Sequence, residues 1–285
     1  MKIFEQIDLL RAYLNEQNRN NSVGFVPTMG ALHKGHLALV EKSLKENDIT
    51  FCSIFVNKIQ FNQEEDYVKY PRMLEQDISL LKGIGCDCLF VPTHTTVYPE
   101  GFVLKNYDLG EIEGELEGFY RPGHFQGVCN VVKRLLDIIQ PQSLYLGLKD
   151  FQQCKVIEKM IQLEGLDSSI QLHLCETIRN ENGLALSSRN KRLSINGLKK
   201  ATVLLKTLIE TKERILNSEV GLDLNLISQE STKNILNGGF ESVDYFAFVN
   251  ENFETIHTTS NNNQPITILT AATIEGVRII DNIKL

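Results

Sequence analysis

The chain has 285 residues with 29 basic and 36 acidic side chains, so its formal net charge is −7. A hydrophobic content of 42% supplies a large core and excludes a wholly disordered chain. The acidic balance argues against a broad nucleic-acid or anionic-membrane surface, although it is compatible with a small basic pocket. A chain of this length is expected to form two domains.

The cysteines and the apolar segments indicate a cytoplasmic location. None of the 6 cysteines forms a C-x-x-C pair or has a histidine at zinc-finger spacing. Cys86 and Cys88 alternate along a strand-like run, and we expect buried free thiols there rather than a metal site. No apolar stretch reaches the length of a signal peptide or a membrane-spanning helix. Reduced thiols in a protein of this size then favour the cytoplasm.

Short apolar runs alternate with amphipathic segments up to about residue 178. The runs predicted as strands are 23–26, 49–56, 87–91, 143–146 and 170–174. Apolar residues at helical spacing lie between them, at Leu37, Val40 and Leu44, at Val128, Val131, Leu135 and Ile138, and at Cys154, Ile157, Met160 and Ile161. This alternation is typical of β–α–β units in an α/β protein with a parallel sheet, whose strands are buried on both faces.

The pattern changes after about residue 180. Residues 194–213 are predicted to be helical, and strand-like runs follow at 243–249, 266–270 and 277–280. Helices followed by clustered strands favour a small α+β domain. We therefore predict one domain at 1–178 and a second at 179–285, with a hinge at 187–190.

The strongest chemical signal is PTMGALHKGH at 27–36, between a predicted strand and a predicted helix. Ligands of α/β proteins bind at such junctions, where free backbone N–H groups and the positive helix end favour phosphate. His33 and His36 share one side of the first helical turn, and Gly35 permits close approach. Two imidazoles there can stabilise charge while a phosphate is attacked. The plainer alternative, a helix that merely contains two histidines, is disfavoured by this context.

Polar residues also follow the next predicted strand. Asn57 and Gln60 are uncharged hydrogen-bonding groups that suit a small ligand with hydroxyl and carboxylate groups, although amides in loops are usually solvated. Asp77 lies on a later helix, where it would either assist a metal ion or face solvent. These residues are weak signals when each is taken alone.

Three more polar segments lie at predicted junctions. Arg121 and His124, in RPGHFQGV, would hold phosphates or form a charged surface turn. Lys149, in GLKDFQQ, is a point charge suited to polyphosphate, and Gln153 lies about one turn into the following helix. ALSSRN, near the expected hinge, offers two hydroxyls and a guanidinium that can close over phosphates. Together the five clusters indicate a nucleotide-dependent enzyme.

These segments resemble the pantothenate synthetase family, also called the pantoate–β-alanine ligases. The resemblance extends from Phe25 to RIIDN, which ends at Asn282, and is most specific in PTMGALHKGH, FVNKIQF, YPR, RPGHFQGV, GLKDFQQ and GLALSSRN. H-x-G-H alone would indicate only the wider nucleotidyltransferase superfamily. The resemblance implies a Rossmann-like doubly wound parallel sheet that binds nucleotide and pantoate, with a smaller C-terminal α+β lid domain.

The resemblance also implies catalytic and ATP-binding residues. His36 would be the proton donor, with His33 beside the phosphates, and Lys149 and Arg189 would complete the catalytic set. The residues implied to bind ATP are Met29, Gly30, Ala31, Leu32, His33, Lys34, Gly35, His36, Gly147, Leu148, Lys149, Asp150, Ile178, Leu186, Ser187, Ser188 and Arg189.

Substrate and metal contacts are implied in the same way. Gln60 would bind both pantoate and β-alanine, and Gln153 would bind pantoate. Asp77 matches an acid near the family's magnesium site. The remaining substrate-binding candidates are Asn57, Arg121 and His124.

Four positions depart from the family pattern. Lys58 stands in place of a usual proline, Leu186 in place of methionine, and Asn130 in place of a frequent threonine. Glu176 and Thr177 lack the proline often found before the Ile-Arg pair. None of these changes removes a group that would bind phosphate or transfer a proton. Lys58 is the change that we expect to affect the shape of the loop around Gln60.

The implied reaction is the ATP-dependent condensation of (R)-pantoate with β-alanine through pantoyl adenylate, with release of pyrophosphate and AMP. ATP is the nucleotide substrate and Mg²⁺ the expected metal. The family also implies a homodimer, for which a strand-rich segment near residues 103–104 would supply a sheet edge. No nucleic acid or membrane partner is expected.

Three alternatives stay open at this point. Another adenylyl or cytidylyl transferase would share H-x-G-H. A class I aminoacyl-tRNA synthetase would use Ser187, Ser188 and Arg189 as its mobile phosphate loop, but the acidic charge and the short chain argue against tRNA. A non-catalytic nucleotide-binding module is disfavoured because His36 and Lys149 are both present.

Overall fold

The structure is a computed structural model that describes residues 1–17, 21–218, 221–259 and 265–285. The chain forms two compact units, one of Met1–Leu148 with Gln152–Glu176 and one of Lys149–Phe151 with Thr177–Leu285. The predicted roles of a nucleotide-binding domain and a lid, divided at residue 178, stay predictions.

No described helix combines the length and the apolar character that a membrane crossing requires.

The larger unit is built on a parallel sheet of 6 strands. The strands are β1 (Lys2–Phe4), β2 (Val23–Thr28), β3 (Ile49–Ile54), β4 (Cys88–Phe90), β5 (Ser143–Gly147) and β6 (Gln171–Cys175). Their order across the sheet is β1-β4-β3-β2-β5-β6, so the direction of winding reverses between β2 and β5. Open α/β sheets bind ligands beyond the carboxyl ends of the strands at such a reversal.

Helices connect these strands. They are α1 (Ile7–Glu16), α2 (Lys34–Glu46), α3 (Glu64–Lys69), α4 (Leu74–Gly83), α5 (His94–Val97), α6 (Glu117–Tyr120), α7 (His124–Ile139) and α8 (Phe151–Leu163). Short 3₁₀ turns lie at Lys58–Gln60, Gly110–Glu113 and Leu148–Asp150. The arrangement confirms the predicted α/β fold.

The central strands are held by apolar side chains on both faces. Phe25 on β2 is paired in register with Phe51 on β3, and both are fully buried. Helix α7 covers one face with a long apolar stripe that includes Val128, Leu135 and Ile138. Burial on both faces explains why these strands read as continuous apolar runs.

One strand of this sheet was not predicted. β1 has only 3 residues, pairs with β4, and is exposed at two of them, Lys2 and Ile3. A strand this short shows no clear alternation, and its pairing partner lies far along the chain, so the sequence carries no local signal for it.

The smaller unit contains an antiparallel sheet of 3 strands in the order β7-β8-β9. Its elements are the 3₁₀ turn Ser188–Arg192, α9 (Ile195–Ala201), α10 (Val203–Leu216), α11 (Leu224–Asn237), β7 (Ser242–Val249), β8 (Thr267–Ile274) and β9 (Val277–Lys284). The sheet and helices enclose their own apolar core. The predicted α+β character is confirmed, although α11 was missed because its sequence is mostly polar.

The expected buried thiols are confirmed. Cys86 and Cys88 are at most 1% exposed. Burial raises the pKa of the Cys86 thiol to about 12 and that of Cys88 to about 11, so both stay protonated and unreactive at neutral pH.

A substitution at Gly24 tests how closely α2 packs on β2. A Cβ at Gly24 would lie 2.1 Å from Ser43 Oγ and 2.5 Å from Asn47 Nδ2. We expect Gly24→Ala to lower the free energy of unfolding by about 1–3 kcal/mol, since overpacking forces neighbouring atoms to move. Equilibrium urea denaturation measures this change.

Gly83 provides the matched control. A Cβ there would meet no atom within 4 Å, and the residue ends helix α4. Gly83→Ala should leave stability unchanged or raise it by up to about 1 kcal/mol. Equal stability of the Gly24→Ala and Gly83→Ala proteins would contradict the proposed packing constraint.

Candidate active site

The chain makes a tight turn where β2 ends. Gly30 has φ 81° and Ala31 has φ 49°, so the backbone is left-handed at both residues. The Thr28 hydroxyl accepts from the Gly30 N–H at 3.2 Å and donates to the Ser53 carbonyl oxygen at 2.7 Å. A left-handed alanine is unfavourable by itself, so other contacts must hold this turn.

Asp77 supplies those contacts. Its side chain is 1% exposed, and its two carboxylate oxygens accept from the Ala31 N–H at 2.8 Å and the Leu32 N–H at 2.7 Å. A Cβ at Gly30 would lie 3.0 Å from Asp77 Oδ2, which explains the glycine. The expected magnesium contact of Asp77 stays a prediction, whereas the observed contacts give this carboxylate a structural role.

His33 and His36 form the start of α2. The His33 side chain accepts from the Gly35 N–H at 3.2 Å, and the His33 N–H donates to His36 Nδ1 at 3.4 Å. The two rings stack with their centroids 3.9 Å apart. Because a backbone N–H can only donate, each Nδ1 is an acceptor, and each neutral ring carries its proton on Nε2. The capping arrangement therefore selects the tautomer in which Nε2 is the proton-bearing atom.

Asn57 and Gln60 are joined at the carboxyl end of β3. Asn57 is fully buried, and its Nδ2 donates to Gln60 Oε1 at 3.3 Å and to the Gly127 carbonyl oxygen at 3.1 Å. The Tyr98 hydroxyl donates to Asn57 Oδ1 at 3.2 Å. Burial raises the pKa of Tyr98, which keeps this donor protonated.

Gln60 also connects this group to the first turn. Its Nε2 donates to Met29 Sδ at 3.3 Å. The structure thus brings together the 27–36 segment, Asn57 and Gln60. Direct contact of Asn57 or Gln60 with substrate stays a prediction.

The segment RPGHFQGV reaches the same group from the start of α7. His124 Nδ1 lies 2.8 Å from the Gln60 carbonyl oxygen, and its Nε2 lies 3.1 Å from Arg121 Nη1. His124 is 5% exposed. The phosphate-binding alternative for Arg121 and His124 stays a prediction, and their observed contacts are within the protein.

The two adjacent glutamines of GLKDFQQ differ in their contacts. Gln152 is 2% exposed and hydrogen-bonds backbone groups of Ile112, Glu115 and Glu117. Gln153 is half-buried in the first turn of α8, and among the described residues it makes no hydrogen bond to Gln60. Gln152 is therefore structural, and the pantoate contact of Gln153 stays a prediction.

The smaller unit brings its own predicted residues together. The Leu186 N–H donates to the Ile178 carbonyl oxygen at 3.0 Å, and Ser187 Oγ accepts from the Arg189 N–H at 3.3 Å. Ser187 caps the 3₁₀ turn Ser188–Arg192. Residues 178–186 thus form a hairpin, and the GLALSSRN segment continues from its second arm into a capped turn.

Lys149 lies in the same unit, where its backbone is hydrogen-bonded to strand β9. Asn282 Nδ2 donates to the Lys149 carbonyl oxygen at 2.9 Å. The neighbouring Asp281 carboxylate is 3% exposed and accepts two hydrogen bonds from Arg179, at 2.6 and 2.8 Å. Lys149 Nζ lies 3.5 Å from Asp150 Oδ1. Sequence reasoning assigned no function to Asn282, and only the RIIDN string pointed to it.

Two departures from the family pattern have clear structural positions. Lys58 is more than half exposed and pairs with Glu64 at 3.3 Å. Asn130 hydrogen-bonds both the N–H and the carbonyl oxygen of Lys105, at 2.9 and 2.8 Å. Neither side chain is among the contacts that hold Gln60.

Comparison with known proteins assigns the family. The sequence profile described as pantoate–β-alanine ligase matches residues 2–284. A pantothenate synthetase of Cytophaga hutchinsonii is 42% identical over 279 residues, which cover 97% of this chain and 96% of that protein. One of Gluconobacter oxydans is 40% identical over 286 residues and covers both chains fully. The chain belongs to the pantoate–β-alanine ligase family.

Solved structures agree with this assignment. A pantothenate synthetase of Thermus thermophilus superposes with a TM-score of 0.87 at 38% identity, covering 99% of both chains. A pantoate–β-alanine ligase of Francisella tularensis, complexed with β-γ ATP and β-alanine, has a TM-score of 0.81 at 36% identity and covers 99% of this chain and 97% of its own. The Rossmann-like fold with a small C-terminal α+β part is thereby confirmed.

Replacing Asp77 separates its structural role from a purely metal-binding one. Asp77→Ala leaves the Ala31 and Leu32 N–H groups buried without their acceptor, so we expect a loss of about 2–4 kcal/mol in the free energy of unfolding. The measurement is denaturation in buffer with EDTA. Glu75→Ala, which removes an exposed acid from the same helix, is the matched control. Wild-type stability of Asp77→Ala without metal would contradict the structural role.

Proposed function

We propose that this chain joins pantoate to β-alanine with the consumption of ATP and the release of pyrophosphate and AMP. The observation that carries the proposal is the paired His33–His36 start of α2 at the end of β2, in a chain whose full length matches one ligase family. The Francisella relative, complexed with a form of ATP and with β-alanine, supports the same substrates here.

The reaction has two steps. In the first, a pantoate carboxylate oxygen attacks the α-phosphorus of ATP, the bond to the β-phosphate breaks, and pyrophosphate leaves. In the second, the β-alanine amine attacks the carbonyl carbon of pantoyl adenylate, the C–O bond to AMP breaks, and the amine loses a proton to solvent. The first step brings an anionic nucleophile onto a polyphosphate, so it needs positive charge and hydrogen-bond donors around the phosphorus.

The residues of this chain provide such groups. His36 acts as the proton donor through Nε2, and His33 Nε2 donates toward the phosphates. Lys149 and Arg189 contribute fixed positive charge, with Ser187 and Ser188 as hydroxyl donors. The remaining proposed ATP contacts are Met29, Gly30, Ala31, Leu32, Lys34, Gly35, Gly147, Leu148, Asp150, Ile178 and Leu186.

Gln60 and Gln153 hold the small substrates in this proposal. The Gln60 amide contacts pantoate and then β-alanine, and Gln153 contacts pantoate. Asn57 supports Gln60 through the 3.3 Å hydrogen bond between their side chains. Uncharged amides suit this task because they hydrogen-bond hydroxyl and carboxylate groups without adding to the charge balance.

Magnesium enters the proposal with the nucleotide. Among the described residues, no group of three or more His, Cys, Asp and Glu side chains is placed to hold a metal ion. Asp77, the expected acid, already accepts two backbone N–H groups. We propose that Mg²⁺ enters with the ATP polyphosphate as part of the substrate, and a contact with Asp77 stays a prediction.

An assay with purified protein tests the function. Protein is mixed with ATP, pantoate and a panel of amines, and AMP and pyrophosphate are followed separately. Formation of AMP that depends on both pantoate and β-alanine supports the proposal. Activity with another acid or amine would instead favour a different nucleotidyltransferase, and no turnover would favour a binding module.

His36→Ala tests the first step. We expect the rate of pyrophosphate release to fall roughly 100-fold or more, since a positioned acid contributes at least that much. Circular dichroism should show an intact fold, and His257→Ala, an exposed histidine in the smaller unit, is the control. Near-normal pyrophosphate release by His36→Ala would contradict the role of His36.

We also propose that the protein is a cytoplasmic homodimer. Phe102, Val103 and Leu104 form an exposed apolar run, and the Val103 side chain is 83% exposed. Such a run favours burial against a second copy. Five of the six cysteines are buried and free, which suits a reducing compartment.

Sedimentation velocity tests the dimer. The wild-type protein should sediment as a dimer, and Val103→Glu should shift it toward the monomer because the charge opposes burial. Leu226→Glu, at a residue that is 50% exposed in the smaller unit, is the matched control and should remain dimeric. A monomeric wild-type protein at micromolar concentration would refute this part of the proposal.

A further inference from the structure

No step of the proposed reaction uses the segment RPGHFQGV at 121–128. It ends in the first turn of α7, after Gly123, whose φ is 78°. His124 begins the helix and is 5% exposed, so its ring is enclosed by protein. A histidine this deeply placed must satisfy its two ring nitrogens with protein partners.

Those partners determine the proton position on the ring. His124 Nδ1 lies 2.8 Å from the Gln60 carbonyl oxygen, which can only accept, so Nδ1 carries the proton. His124 Nε2 lies 3.1 Å from Arg121 Nη1, which can only donate, so Nε2 presents its lone pair. A second proton on Nε2 would point one donor at another and place two cations side by side.

Arg121 is itself held in place. Its Nη1 lies 3.7 Å from Glu117 Oε2, on a glutamate that is 6% exposed and one turn earlier in the chain. Glu117 offsets the arginine charge, and the guanidinium beside His124 Nε2 disfavours a second positive charge on that ring. The order of contacts is therefore Glu117, Arg121, His124 and then the Gln60 backbone.

The same helix turn contacts Gln60 at further points. A Cβ at Gly127 would lie 2.7 Å from Gln60 Cα and 2.8 Å from its N atom, so only glycine allows this approach. The Gly127 carbonyl oxygen accepts from Asn57 Nδ2, which also holds Gln60 Oε1. The start of α7 thus restrains both the backbone and the side chain of Gln60.

We propose that His124 is a positioning residue, held by Arg121 as the neutral Nδ1–H tautomer, that secures the Gln60 backbone and so aims the Gln60 amide at pantoate and β-alanine. The proposal rests on the proposed function, in which Gln60 contacts both substrates. It assigns His124 neither phosphate binding nor proton transfer.

Two substitutions of His124 test whether its hydrogen bond to the Gln60 carbonyl oxygen is what matters. In His124→Asn, Nδ2 occupies the place of the ring Nδ1–H and can still donate to Gln60. In His124→Leu, a side chain of similar size leaves the Gln60 carbonyl oxygen without its donor. We expect kcat/KM for pantoate and for β-alanine to fall roughly tenfold in the leucine variant and to recover to within about threefold of wild type in the asparagine variant.

The Michaelis constant for ATP provides the internal comparison. It should stay unchanged in both variants, because His124 does not contact the phosphates in this proposal. His257→Leu, which removes an exposed histidine from the smaller unit, should leave all parameters unchanged. If His124 had only a structural role, the leucine variant would be less stable, and the kinetic constants for pantoate, β-alanine and ATP would change together. Equal loss of activity in both His124 variants, or a raised Michaelis constant for ATP, would overturn the proposal.

Nitrogen NMR of the ¹⁵N-histidine-labelled protein tests the tautomer without any assay. The His124 signals, assigned by their loss in His124→Asn, should show a protonated Nδ1 and an unprotonated Nε2 at neutral pH. A protonated Nε2 would overturn the proposal even if the enzyme is active. Inactive wild-type protein with the expected tautomer would instead count against the proposed function alone.

Discussion

Two backbone N–H groups in a left-handed turn need an acceptor that neither a helix nor a strand supplies, and the rest of the site depends on how that need is met. The Ala31 and Leu32 N–H groups both donate to the Asp77 carboxylate. A buried, unpaired N–H costs enough free energy to open such a turn. With the acceptor in place, the chain leaves β2, reverses, and begins α2 at His33.

The geometry of the two histidines follows from that turn. His33 caps α2 through its own Nδ1, and His36 Nδ1 accepts from the His33 N–H. The structural hydrogen bonds use the nitrogen nearer the backbone and keep the proton on the outer one. One set of contacts therefore starts the helix and sets the tautomer that the proposed proton donation through Nε2 requires.

A second support comes from α7. Gln60 lies in a 3₁₀ turn with few local constraints, and its position is set by His124, Gly127 and Asn57. All of these groups are neutral in the arrangement described. Positive charge in the proposed reaction then comes from Lys149, Arg189, Lys34 and the Mg²⁺ bound to ATP, in a chain with a net charge of −7. The acidic balance describes the whole chain and does not limit the chemistry of one site.

The sequence by itself determined the α/β class, the parallel strands of the larger unit except β1, the strands of the smaller unit, and the motifs that identify the family. These features depend on local periodicity and on residues adjacent in the chain, which a single sequence displays directly. It also showed that the 27–36 turn and the Asn57–Gln60 pair each follow a predicted strand, whereas the structure shows that these two strands are neighbours in the sheet.

Only the tertiary structure decided what Asp77 and His124 contact. Asp77 reaches its partners across more than forty residues and His124 reaches Gln60 across about sixty, so no local pattern records either pair. The predicted metal contact of Asp77 and the predicted phosphate contact of His124 stay predictions, since both were read from charged residues in polar segments. The contacts within the protein follow from burial, because an enclosed polar group must hydrogen-bond what packs against it, and packing is a property of the folded chain.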